Sequence, residues 1–160
     1  MATLTKITPC LWFDTQAEEA ARFYTSVFED SRIAEVRHYG SAGPREEGLV
    51  MTVTFELAGQ EFLALNGGPQ FTFDEAISFQ INCESQEELD RFWSVLPSEG
   101  GSEGPCGWLK DRFGVSWQVV PVQFDELLRT AEPEAAQRAI KAMLGMGKLD
   151  MAALEEAAAG

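Results

Sequence analysis

Residues 4–13 alternate between apolar and polar positions well enough for a strand, and the pattern then changes. In DTQAEEAARFYTSVF, Ala17, Ala20, Ala21, Tyr24, Val27 and Phe28 recur at helical spacing on one face. Thr15 and Glu18 stand three apart at its start, the S/T-x-x-E spacing of a capping box. Three strand-like stretches follow, RIAEVRHY, LVMTVTFEL and EFLALN, separated by the glycine-rich loop GSAGPREEG and the short turn AGQ. The pattern predicts a strand, a helix and a three-stranded meander.

After the connector NGGPQFTFDEA the order begins again. AISFQINC reads as a strand, and ESQEELDRFWSVL as a helix with a second capping box from Ser85 to Glu88. Leu89, Phe92, Trp93 and Leu96 form the apolar face of that helix. The segment PSEGGSEGPCG leads to WLKD, a turn at RFG and the strand VSWQVVP. The second copy shows fewer strands, and its glycine-rich segment is where a short one would hide. RFYTSVF matches RFWSVL, and GQEFLAL matches GVSWQVV, so the halves read as a repeat. In the last strand Val115, Trp117 and Val119 share one face, which leaves Ser116, Gln118 and Val120 on the other.

Beyond Pro121 the chain is rich in Ala, Leu and Met and carries no strand signal. Pro133 suits a first helical turn, and Ala136, Ala139, Ile140, Met143 and Leu144 make an apolar stripe. Gly145 and Gly147 end that helix, and Asp150 can cap a last short one. The reading is an α+β chain with a two-module domain over 1–121 (module one about 1–68, module two about 76–121) and a helical extension over 122–160. The extension is expected to cover a sheet edge or a partner subunit; a peptide-binding helix pair is the alternative.

Twelve basic against twenty-six acidic residues give a net charge of −14, which repels phosphate backbones and anionic lipid headgroups. Nucleic acid and membrane are therefore not expected partners. No apolar run approaches a membrane span, and the opening MATLTKITPCLWF lacks the charged start and cleavage site of a signal peptide, so a cytoplasmic protein is expected. Cys10, Cys83 and Cys106 are odd in number and widely spaced, as expected of reduced thiols. A nucleophilic cysteine would have only His38 as its base, and His38 reads as an exposed strand residue.

ITPCLWFD…AEEAARFYTSVF, NGGP, ISFQINCES…ELDRFW, KDRFGVSWQVVP and AMLGMGKLDMAALEEA together resemble the PhnB-like proteins. These belong to the glyoxalase/bleomycin-resistance/extradiol-dioxygenase group, the vicinal oxygen chelate superfamily. The resemblance runs over nearly the whole chain. It implies paired βαβββ modules whose curved sheets form a cup for a small ligand, often in a homodimer. Some members are called demethylubiquinone methyltransferases. The glycine-rich strand-to-helix turn that common methyltransferases use for their cofactor is missing here.

The resemblance also places the metal positions of the superfamily's enzymes, on the first and last strands of each module. Here they fall on Pro9, Leu63, Ser78 and Gln118, with Gln80 reached if the count slips by one. None is an imidazole or a carboxylate, so a pocket with no metal and no cofactor is expected. Cys10, Asn66, Ser78, Gln80 and Gln118 are its candidate polar groups. Trp12, Trp108, Trp117, Phe71 and Phe73 are candidate walls, although Trp117 and Trp93 also suit the core. Asp74 and Asp111 read as turn caps. The expected function is binding of a small molecule, by preference a neutral or cationic aromatic, because no Lys or Arg stands on the expected lining strands. A metal-independent enzyme is the alternative, though Gln and Ser alone offer no group for acid–base work. A third reading has the C-terminal helices recruiting a protein partner.

Overall fold

A computed structural model describes residues 5–160, and the chain divides after Phe73 into two compact units. In the first, β1 (Cys10–Phe13) leads to α1 (Ala17–Val27), then to β2 (Arg32–His38), β3 (Val50–Leu57) and β4 (Gln60–Asn66). The sheet order is β1-β4-β3-β2, with β1 parallel to β4 and the meander antiparallel. Ala58 and Gly59 both take positive φ (49° and 83°), the two-residue turn that joins β3 to β4 with the twist of a hairpin. Leu11, Phe13, Val53, Phe55, Phe62 and Ala64 alternate onto one sheet face, against the buried Ala17, Ala20, Ala21, Tyr24 and Val27 of α1. Tyr24 stacks on Phe55, and Phe55 on Phe62, with ring centroids 6.1 and 5.5 Å apart.

Two local expectations are corrected here. The first strand begins at Cys10, and the described residues before it are not strand; position 4 lies outside the described residues. Pro9 has no N–H for the ladder and contributes only its carbonyl, which accepts from the Leu63 N–H at 2.9 Å, while Ile7 stands 82% exposed. The Thr15–Glu18 capping box does not form. Gln16 is the N-cap residue and supplies no side-chain bond; Asn66, on β4, accepts from the Ala17 N–H at 2.8 Å instead. Glu18 pairs with Arg22 one turn on, at 2.6 Å.

The second unit repeats the arrangement. β5 (Ser78–Cys83), α2 (Gln86–Val95), β6 (Ser102–Glu103), β7 (Trp108–Lys110) and β8 (Ser116–Pro121) form a sheet in the order β5-β8-β7-β6, with β5 parallel to β8. The strand hidden in the glycine-rich segment is β6. Ile81, Cys83, Leu109, Trp117 and Val119 are buried, as are Leu89, Phe92, Trp93 and Leu96 of the α2 region. The second capping box forms, shifted by one at its return bond. Ser85 Oγ accepts from the Glu88 N–H at 3.1 Å, and the Glu88 carboxylate accepts from the Glu84 N–H at 2.7 Å.

The C-terminal helices α3 (Val122–Thr130), α4 (Pro133–Leu144) and α5 (Met151–Ala159) belong to the second unit. Phe124, Ala139, Leu154 and Ala158 make a small core of their own, enclosed by Leu127, Ile140, Met143 and Met151. The expected stripe therefore turns largely onto neighbouring helices, except Leu144, which is 62% exposed. Asp150 caps α5 through the Ala153 N–H at 3.1 Å. The Gln86 amide donates to the Leu149 carbonyl and accepts from the Met151 N–H, tying the α4–α5 link to α2. The same link accepts backbone bonds from Cys106 and Gly107, at 2.8 and 2.9 Å. Gly107 has φ +81°, and a Cβ there would crowd Leu149, so the turn into β7 requires glycine.

Candidate functional site

Because β8 alternates, its register decides which side chains face away from α2. Across the sheet the pairs are Ser78–Ser116 and Gln80–Gln118 between β5 and β8, then Lys110–Ser116 and Trp108–Gln118 between β7 and β8. The face opposite the helix thus carries Ser78, Gln80, Gln118 and Trp108 together, with Ser116 and Lys110 beside them. Gln118 is half-buried and donates from Nε2 to Ser78 Oγ at 2.9 Å. Gln80, exposed, donates to Asn82 Oδ1 at 2.9 Å along the same strand face. The apolar strand tolerates a glutamine because its amide has a partner there and need not enter the core. Lys110 corrects one expectation: a basic residue does stand on this lining face, paired with the Glu75 carboxylate.

In the first unit Cys10 and Trp12 share the corresponding sheet face with Leu63 and Leu65. The Trp12 indole donates to the Gly68 carbonyl at 2.9 Å and meets Phe71 edge-on at 5.0 Å. A Cβ at Gly67 would overlap the indole, which explains glycine in the connector at that point. Phe73 is edge-on to Phe13 at 5.2 Å. Asn66 leaves the candidate set. It lies on the helix-facing side, 1% exposed, where Oδ1 caps Ala17 and Nδ2 donates to the Val50 carbonyl at 3.0 Å. The Asn66 carbonyl in turn accepts from the Tyr39 hydroxyl at 2.7 Å. Strand alternation was the available signal, since Asn66 follows Phe62 and Ala64 at a spacing of two.

Asp111, buried at 2% exposure, holds the β7–β8 turn. Its Oδ1 accepts from the Phe113 and Val115 N–H groups at 2.9 and 3.1 Å, and Oδ2 from the Trp117 indole at 2.9 Å. Asp74 caps a turn at the Ala76 N–H. His38 and Cys10 sit on opposite edge strands of one sheet, three strand spacings or roughly 14 Å apart, so they form no nucleophile–base pair. Burial, with the Glu88 carboxylate second, pushes the Cys83 thiol up to about 12, and desolvation raises Cys10 as well. Neither is poised as a thiolate.

A stability prediction follows from Cys83. Its folded pKa stands above the ordinary 9.0, so the folded form keeps a proton that the unfolded form releases. The contribution is complete below pH 9 and is lost as pH rises towards about 12. Urea melts should show the protein losing stability across that window more steeply than a Cys83→Ala variant. A steeper loss in the variant would contradict this.

The sequence profile of the 3-demethylubiquinone-9 3-methyltransferase family matches residues 5–120. The chain belongs to this family. Its C-terminal helices, included in the sequence resemblance, lie beyond the matched residues. A solved PhnB protein of Bacillus cereus is 39% identical, covering 73% of this chain and 99% of its own, with a TM-score of 0.65. Protein PA1353 of Pseudomonas aeruginosa is 22% identical over 74% of this chain and 98% of its own, with a TM-score of 0.60, and shares the fold. A glyoxalase/bleomycin resistance protein of Albidiferax ferrireducens T118 is 15% identical over 71% of this chain and 95% of its own, with a TM-score of 0.45. No curated protein matches. The paired βαβββ modules are the fold that the chain shares with the Bacillus cereus PhnB protein.

The four positions to which the resemblance assigns metal ligands fall into two adjacent pairs. Pro9 and Leu63 are joined through backbone in the first unit, and Ser78 and Gln118 through side chains in the second. A proline ring, an isobutyl group, a hydroxyl and a neutral amide do not fit a divalent cation, which needs imidazole, thiolate or carboxylate. Among the described residues no three His, Cys, Asp or Glu side chains gather as a metal-binding group. A methyl-donor cofactor fits no better. The strand-to-helix turns of this family member are Asp14–Thr15–Gln16 and Glu84–Ser85, without glycine, and both helices open with glutamates.

Proposed function

We propose that the chain binds a small molecule on the face of the second module's sheet turned away from α2, using neither a metal nor a methyl-donor cofactor, in the cytoplasm. The observation that carries the reading is the Gln118–Ser78 pair, set beside Trp108 on a face with no helix of its own module over it. An aromatic plane and a few oriented polar groups are what a small-ligand surface needs. Lys110, the base on that face, is paired with the Glu75 carboxylate and not with a serine hydroxyl, so binding is favoured over catalysis. Reduced cysteines accord with the compartment, and among the described residues no helix is long and apolar enough to cross a membrane.

Gln118→Leu tests the reading. Leucine suits this strand, so stability should stay within about 1 kcal/mol of the parent. Affinity for a small aromatic probe such as benzamide, followed by NMR titration, should fall about tenfold. Unchanged affinity with lowered stability would assign Gln118 to structure alone. In the same preparation chelator should leave the melting temperature unmoved; a stoichiometric metal by elemental analysis would overturn the metal-free part.

We also propose a homodimer in solution. The family resemblance supports it, and Ile7, Phe71, Ile77 and Leu144, 62–82% exposed, leave apolar side chains that an interface would cover. A dimer would bury over ~1,200 Å² in total. Light scattering giving a monomer mass at micromolar concentration would contradict it.

A further inference from the structure

The register that gathers the polar face also builds a row across all four strands of the second sheet: Ser78, Ser116, Lys110 and Ser102. Over part of this row lies an open cavity of about 230 Å³, lined in part by Glu75, Ser102, Trp108, Lys110 and Ser116. Ser116 is 1% exposed, and its Oγ has no hydrogen-bond partner among the described residues. A buried hydroxyl left unbonded is costly, and such a group calls for an explanation. Its cross-strand neighbour is Lys110, whose ammonium is paired with the Glu75 carboxylate.

We propose that this cavity takes the carboxylate of a small planar acid, which replaces Glu75 as the partner of Lys110 and becomes the acceptor for the Ser116 hydroxyl. The inference rests on the reading that this sheet face is the binding surface, and adds the class of ligand. Three features support it.

The first is that the place is already held by a carboxylate. The hydrogen bond from Lys110 is the main cause that keeps the Glu75 carboxyl below its usual range, so at neutral pH the chain's own occupant is an anion. The second is that this occupant is cheaply displaced. Glu75 precedes β5, its side chain is 63% exposed, and that of Lys110 is 36% exposed, conditions under which an ion pair contributes little. Lys110 also has three donors, so one leaving partner does not strip it. The third is size and shape. About 230 Å³ is less than the roughly 300 Å³ at which drug-sized pockets begin, room for one ring and one acid group. Trp108 supplies the flat wall, two residues along β7 from Lys110 and on the same face. A single ammonium beside an acidic residue, in a chain of net charge −14, suits a monoanion and disfavours phosphates.

The test is titration of the ¹⁵N-labelled full chain with benzoate and, separately, with benzamide, reading the Trp108 indole N–H and the Ser116 amide. Benzoate should shift both signals saturably and bind about fivefold or more tightly than benzamide. Lys110→Met should weaken benzoate about tenfold and leave benzamide unchanged. Glu75→Gln, by removing the internal competitor, should tighten benzoate about two- to fivefold. Ser116→Ala should weaken benzoate in a protein that melts no lower than the parent. Equal affinity for the two probes, benzoate binding that survives Lys110→Met, or no tightening in Glu75→Gln would each overturn the proposal while the binding surface stands. If neither probe moves any signal on this face, the proposal and the broader reading fall together.

Discussion

Asp111→Ala should lower the stability of the protein by about 3–5 kcal/mol, a large share of what a domain of this size possesses. The carboxylate is buried and accepts from two backbone N–H groups and one indole N–H. Alanine leaves all three donors without their acceptor in a turn that packs closely. The turn also includes the bonds Asp111 N–H to Val115 carbonyl and Gly114 N–H to Asp111 carbonyl, both 3.0 Å, so loosening it unpins β7 from β8. Asp111→Asn is the sharper variant. Its carbonyl oxygen can still accept from Phe113 and Val115, but its NH₂ then points a donor at the indole N–H. That variant should cost about 1–3 kcal/mol, and most of the cost should vanish in a Trp117→Phe background, where the opposing donor is absent. Urea unfolding of the four proteins gives the cycle. An equal cost in both backgrounds would show that the indole bond is not the reason.

Asn66→Leu should cost about 2–4 kcal/mol, and should leave the affinity of the second module for a small aromatic probe unchanged. The amide caps α1 at Ala17 and also donates to the Val50 carbonyl, so leucine leaves both without a partner beneath a helix packed on its sheet. The backbone carbonyl that receives the Tyr39 hydroxyl survives the substitution, which keeps the loss below that of a collapsed sheet edge. Thermal melting and the NMR titration used for Gln118 decide it. A variant that melts like the parent but loses probe affinity would return Asn66 to the ligand-binding set.

Gln118 and Asn66 show how far the sequence could be read. Both are amides on strands of an apolar sheet, and both stood as ligand contacts. For Gln118 the alternation with Trp117 and Val119 already put it on the side away from the helix, and the register adds only its partner, Ser78. For Asn66 the same alternation pointed inward. What made an inward asparagine tolerable was a helix start at Ala17, 49 residues earlier, in need of an acceptor. Thr15 and Glu18 have the spacing to cap that helix locally, but the distant amide takes the bond. Local spacing states which bonds are possible, and packing selects among them.

By itself the sequence determined the order of elements as far as Pro121, the duplicated module, the buried faces of α1 and α2, the caps at Ser85 and Asp150, and the place of the short strand β6, but not the helix α3. These are properties of neighbours in the chain, governed by periods of 3.6 and 2 and by a few turn residues. Only the tertiary structure decided that Lys110 stands across from Ser116, that Glu75 reaches back to it, and that the C-terminal stripe closes on its own small core. Each of those depends on strand register or helix docking. Those are set by the summed burial of many side chains distant in sequence, so no short window of residues contains the answer.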